Sequence, residues 1–145
     1  MKKIFLGLIL LFFTVNGFCQ YVFFGPMLHY NFGKEKNNIS FALEVSVWTE
    51  FLNLPTSLDL GVEVEKTKTR IYSEVQYSIV PLTGISFGIV KEFPNKECPK
   101  TGIQASLWCA YFGGLDVRYR KIGKNSYIAP GLFFKFPVAG RFDID

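Results

Sequence analysis

Residues 39 to 51, ISFALEVSVWTEF, place an apolar side chain at every second position with Thr49 as the one break. Ile39, Phe41, Leu43, Val45, Val47 and Phe51 share one face; Ser40, Ala42, Glu44, Ser46, Trp48 and Glu50 share the other. A period of two is the signature of a strand, because successive side chains point to opposite sides of a sheet. The same pattern recurs along the chain. Leu58, Leu60, Val62 and Val64 oppose Asp59, Gly61, Glu63 and Glu65, and Ile71, Val75, Tyr77 and Ile79 oppose Glu74, Gln76 and Ser78. Segments 21–32, 82–93, 101–112, 115–122 and 127–136 follow the rule less cleanly. The sum is eight predicted strands, with no helical stripe after the N-terminal segment.

The connections alternate in character. Those after strands one, three, five and seven are polar and basic: GKEKNN (33–38), KTKT (66–69), PNKECPK (94–100) and GKNS (123–126). Those after strands two, four and six are short: LNLPT (52–56), Pro81, and Gly113-Gly114. An even number of strands in an up-and-down meander, closed into a barrel, puts the two sets at opposite ends.

Alternation does not say which face is inside. A lipocalin-like soluble barrel turns its apolar face inward, and a membrane barrel turns it outward. The interior of an eight-stranded barrel is just wide enough for side chains to fill. Here the apolar face is crowded with Phe, Tyr, Leu, Ile and Val, whereas the other is rich in small residues such as Gly25, Ala42, Ser46, Gly61, Gly84, Ser86, Gly88, Ser106 and Gly131. Small residues suit a narrow lumen, so the expected fold is an all-β, eight-stranded antiparallel transmembrane barrel. Lipid offers no partner for a backbone N–H or C=O, so strand eight must close on strand one. Pro26 and Pro130 lie on those two strands and each lacks a donor, which predicts an irregular seam.

The first nineteen residues read as a secretory signal: Lys2 and Lys3, an apolar run from Ile4 to Phe13, and small Gly17 and Cys19 ahead of Gln20. Bulky Phe18 disfavours the rival reading of Cys19 as a lipidated cysteine. The expected organisation is a signal over 1–19, a barrel over 20–138 and a short tail over 139–145. The net charge of +4 is modest and its basic residues sit in short segments, so no nucleic-acid footprint is present. Cys98 falls in a loop and Cys109 mid-strand, which argues against a bridge between them. His29 has no neighbouring Cys or His, and neither a metal site nor a cofactor is expected.

Gly131-Leu132-Phe133-Phe134-Lys135-Phe136 resembles the last-strand signal of small eight-stranded outer-membrane barrels of Gram-negative bacteria, the group of the OmpA membrane domain and OmpX. The resemblance covers the mature chain as pattern, and Cys19-Gln20 resembles signal ends of Bacteroidota exports. PVAGRFDID (137–145) departs from it, since such proteins end on the terminal aromatic. The resemblance implies that assembly machinery reads Gly131, Phe134 and Phe136, and that both termini face the periplasm. Lys34, Lys36, Lys66, Lys68, Arg70, Lys96, Lys100 and Lys124 would then ring the external end, facing outer-membrane lipid and lipopolysaccharide phosphates, or simply solvent.

Inward charges need partners. By phase, Glu44, Glu63 and Glu74 face Arg118 and Lys135 across the lumen, and Trp48, Trp108 and Phe133 fill its periplasmic end. The predicted lumen is plugged. A membrane barrel with His and Ser at its rim is known to transfer acyl groups, but His29 and Ser40 show no triad with an acid, so no enzyme is expected. Three roles remain open: a structural or envelope barrel, a subunit of a larger membrane complex using Ala105 and Cys109 as a smooth outer patch, and a soluble carrier of a hydrophobic ligand.

Overall fold

The computed structural model describes residues 21–33, 38–51, 54–80, 82–110 and 112–140. The signal segment with Cys19, Lys34 and Lys36, Pro81, Tyr111 and the tail from residue 141 lie outside them. The chain forms β1 (Tyr21–Gly33), β2 (Asn38–Phe51), β3 (Leu54–Glu65), β4 (Lys68–Val80), β5 (Thr83–Pro94), β6 (Lys100–Cys109), β7 (Gly113–Ile122), β8 (Asn125–Phe134) and β9 (Phe136–Gly140). From β1 to β8 each strand pairs antiparallel with the next, and β1 pairs with β2 on one side and with β8 and β9 on the other. The sheet is therefore closed. β8 and β9 are one stave interrupted at Lys135, so nine segments make an eight-stranded wall.

Register fixes the geometry. Paired residues followed around the wall run Phe23, Ser46, Asp59, Glu74, Gly88, Gln104, Arg120, Tyr127 and back to β1 at Gly33. The stagger from Phe23 to Gly33 is ten residues. At ~3.3 Å per residue and ~4.8 Å between strands, that tilts the strands by roughly 40°.

The wall is inverted relative to a water-soluble barrel. Ile89 is 63% exposed and Ile103 61%, while Arg70 and Arg120 are 0% exposed on the inside. Tyr30 and Phe32 face outward near one end of the wall; Phe112, Phe134 and Phe136 do so near the other. The β1–β8/β9 seam is irregular, as the two prolines predict: pairing lapses around Pro26 and Pro130, and the register shifts between Val22 and Phe23.

Three expectations need correction. The turn after β3 is Lys66-Thr67 alone, so Lys68 and Arg70 belong to β4, and strand phase turns both inward. The connection after β6 is not Gly113-Gly114, which start β7; β6 ends at Cys109 and Ala110 turns to φ 80°. The wall also continues past residue 138 to Gly140, because β9 pairs with Tyr21 to Phe24.

Candidate functional site

The lumen collects the chemistry of this chain. Its half nearer the Lys66-Thr67 turn centres on Glu63 of β3. Arg70 Nη1 donates to Glu63 Oε1 at 2.6 Å, Nη2 to Glu65 Oε2 at 2.8 Å and Nε to Glu92 Oε2 at 2.8 Å. Arg120 reaches Glu63 from β7 through both terminal nitrogens, and also donates to Gln104 Oε1 (2.9 Å) and Asn31 Oδ1 (3.2 Å). Lys68 lies 3.4 Å from Glu92, and Lys68 and Arg70 both stand over the Tyr127 ring, at 4.5 and 5.6 Å from its centroid. Three acids thus meet three bases, and cation–π contacts add to the attraction.

The half nearer the start of β1 centres on Glu44 of β2. Arg118 Nη2 donates to Glu44 Oε2 at 2.9 Å and Nε to Asp116 Oδ2 at 2.8 Å. Lys135 Nζ reaches Glu44 Oε1 at 2.7 Å and Ser46 Oγ at 2.8 Å. The Tyr72 hydroxyl donates to Glu44 Oε2 at 2.8 Å. Glu44, Asp59 and Glu74 gather carboxylate oxygens within 4.8 Å of one another. Two side-chain cations already serve that trio: Lys135 Nζ lies 2.7 Å from Glu44 and 3.9 Å from Asp59, and Arg118 Nη1 lies 3.8 Å from Glu74.

Two inward glycines make these bonds possible. Gly61 of β3 sits between Glu44 and Tyr72 in register, and a Cβ there would lie 2.1 Å from the Tyr72 ring. Gly131 of β8 sits between His29 and Asp116, and its Cβ would lie 2.3 Å from His29 Cδ2 and 2.9 Å from Asp116 Oδ1. Over that gap His29 Nε2 meets both Asp116 oxygens, at 3.0 and 3.1 Å. A side chain missing on one stave lets residues on the two flanking staves touch.

The residues expected in the lumen are there and in contact: Glu44 with Arg118 and Lys135, and Glu74 beside Arg118. Glu63 meets Arg70 and Arg120 instead, neither of which was expected to pair. Asp59, Asp116, Glu65, Glu92 and Lys68 join the network as well; all are inward by phase, the only signal that marks them. Trp48 and Trp108 meet edge to face at 6.2 Å, packed with Met27, Ala42 and Phe133. They do not fill the cross-section. A half-open cavity of about 340 Å³ remains among them, with Glu44, Asp116, Arg118 and Lys135 at its polar end and Tyr21, Thr49, Pro55 and Ala110 at its rim.

Of the expected basic ring, Lys66, Lys96 and Lys124 are exposed at turns, and Lys100 is half-buried beside Glu97. Phe134 and Phe136 face outward. Ser40 lies opposite His29 in register, but both are buried and the Ser40 hydroxyl accepts from Asn31 Nδ2 at 2.7 Å. Cys98 and Cys109 are free and exposed, at opposite ends of β6.

No protein-family model matches the chain, and no curated protein matches it. Solved structures do. A chain from the de novo design of transmembrane β-barrels aligns at TM-score 0.56 and 14% identity, covering 81% of this chain and 97% of that one. A second designed barrel, TMB2.3, solved by solution NMR, aligns at TM-score 0.58 and 9% identity over 81% and 96%. Neisserial surface protein A aligns at TM-score 0.47 and 13% identity over 80% and 96%. What this chain shares with the designed barrels is the fold: a closed, eight-stranded antiparallel barrel of transmembrane type.

Proposed function

We propose that this chain is a non-enzymatic outer-membrane barrel with a structural or envelope role, its lumen sealed to ion flow at mid-height. The observation that carries the reading is the inverted wall: an apolar exterior around an interior of buried charges joined in ion pairs. In water the exterior would be a very large exposed apolar patch; in a bilayer it is the surface lipid requires. That same exterior counts against the soluble-carrier reading. The subunit reading gains nothing from Ala105, because Phe87 and Tyr119 flank it in register and leave no smooth patch.

On this reading the exposed Lys66, Lys96 and Lys124 face lipopolysaccharide phosphates, and Gly131, Phe134 and Phe136 serve the assembly machinery. Two measurements test it. The membrane fraction of a Gram-negative host, run unboiled and boiled in SDS, should give two mobilities for a closed barrel. The purified barrel in planar bilayers should give no steady conductance. A soluble periplasmic product sinks the membrane assignment, and a stable ohmic channel sinks the sealed lumen.

A further inference from the structure

The cavity at the terminal end of the barrel is built differently from the rest of the lumen. Its walls are aromatic: Trp48, Trp108 and Phe133 inside, with Tyr21 and Phe23 toward the rim. Its polar end carries two acids and two bases, Glu44 and Asp116 with Arg118 and Lys135, so the lining charges balance. The acids are fully engaged. Glu44 accepts from Lys135, Arg118 and Tyr72, and Asp116 is bonded by Arg118 and His29. Arg118 is not. Its Nη1 is buried and makes no hydrogen bond; Glu74, the carboxylate beside it, stays 3.8 Å away. A buried guanidinium nitrogen without an acceptor is costly, and here it belongs to a residue that lines an open, apolar-walled space.

We infer that this cavity binds a monocarboxylic acid with an apolar tail, its carboxylate on Arg118 and its tail among Trp48, Trp108 and Phe133. An ammonium ligand fits poorly, because the lining acids Glu44 and Asp116 are engaged and it would meet Arg118 and Lys135; the unpaired Glu74 Oε1 belongs to a residue that does not line the cavity. A carboxylate brings the acceptor that Nη1 lacks, and a charge-assisted bond to guanidinium is among the stronger polar contacts. A volume of about 340 Å³ is at the lower end of small-molecule pockets and suits an alkyl or aryl chain of modest length. The inference goes beyond the sealed-barrel role and rests on the cavity lining and Arg118, not on whether the lumen conducts.

The chain contains two tryptophans, and both line the cavity, so its intrinsic emission reports occupancy directly. The barrel is refolded into phosphatidylcholine nanodiscs, folding is checked by SDS mobility, and emission is titrated with decanoate, 4-phenylbutyrate and 4-phenylbutylamine. We expect a saturable change with at least one acid; decanoate identifies an alkyl, lipid-derived ligand and phenylbutyrate an aryl one. The amine should bind about tenfold more weakly or not at all, and Arg118→Lys should weaken the acid by about tenfold, since an ammonium does not replace a planar fork. Ser106 also lines the cavity and carries no charge; Ser106→Leu narrows it and should abolish the response, which keeps the test open if Arg118→Lys does not fold. No saturable change with either acid, an amine that binds as tightly, or Ser106→Leu binding like the parent would each overturn the inference.

Discussion

Glu63 offers the sharpest test of the lumen. Its carboxylate stands between Arg70 and Arg120, all three fully buried. Glu63→Gln keeps the shape and removes the charge. Arg70 retains Glu65 and Glu92, but Arg120 keeps only the neutral acceptors Gln104 and Asn31. Breaking a buried pair by removing one partner costs ~3–5 kcal/mol, because the other charge stays desolvated and unpaired. With urea slopes of ~1–3 kcal/mol per M, the unfolding midpoint in detergent or lipid should fall by roughly 2 M.

Adding Arg120→Met to Glu63→Gln removes the stranded charge. The double variant should then be more stable than the sum of the two single losses implies, with a coupling of ~2–3 kcal/mol. Equilibrium unfolding followed by tryptophan emission, on the parent and three variants, measures this cycle. If Glu63→Gln costs under ~1 kcal/mol, or if the two losses simply add, then water reaches this layer and the lumen is not sealed as argued.

Further outcomes follow from the same geometry. Gly131→Ala should cost ~2–4 kcal/mol in the same unfolding assay, because its Cβ drives between His29 and Asp116 and breaks their bond; a neutral result would mean that the seam is looser than drawn. Leu60→Arg, on the outward face of mid-β3, should cost ~2–4 kcal/mol in a bilayer, whereas a barrel living in water would tolerate it, so the size of the effect reports the solvent. On intact cells a membrane-impermeant maleimide should label Cys98, in the basic turn before β6, and spare Cys109 at the other end of that strand; the reverse pattern would invert the proposed orientation.

The parts legible in the sequence are those set by parity. A period-two pattern assigns each residue to a face whatever its neighbours in space, so Glu44, Glu74, Trp48, Trp108, Phe133 and Lys135 are inward from phase alone. Errors arose where phase was abandoned for composition. Lys68 sits in the connection KTKT, and Arg70 at the strand start reads with it as part of the external basic ring, yet Arg70 shares the phase of Tyr72, Glu74 and Gln76. Contacts across the lumen are a different matter, because they depend on the stagger. Closure with a ten-residue shift decides that Glu63 meets Arg120, separated by 57 positions, and that Arg118 meets Glu44, separated by 74. The same closure gives Gly131 its place. In sequence it is a small residue ahead of two aromatics, but in register it is the gap through which His29 reaches Asp116. A barrel of this width holds few side chains per level, so every glycine in the wall selects which long side chains bond across it, and that selection arises only once the sheet has closed.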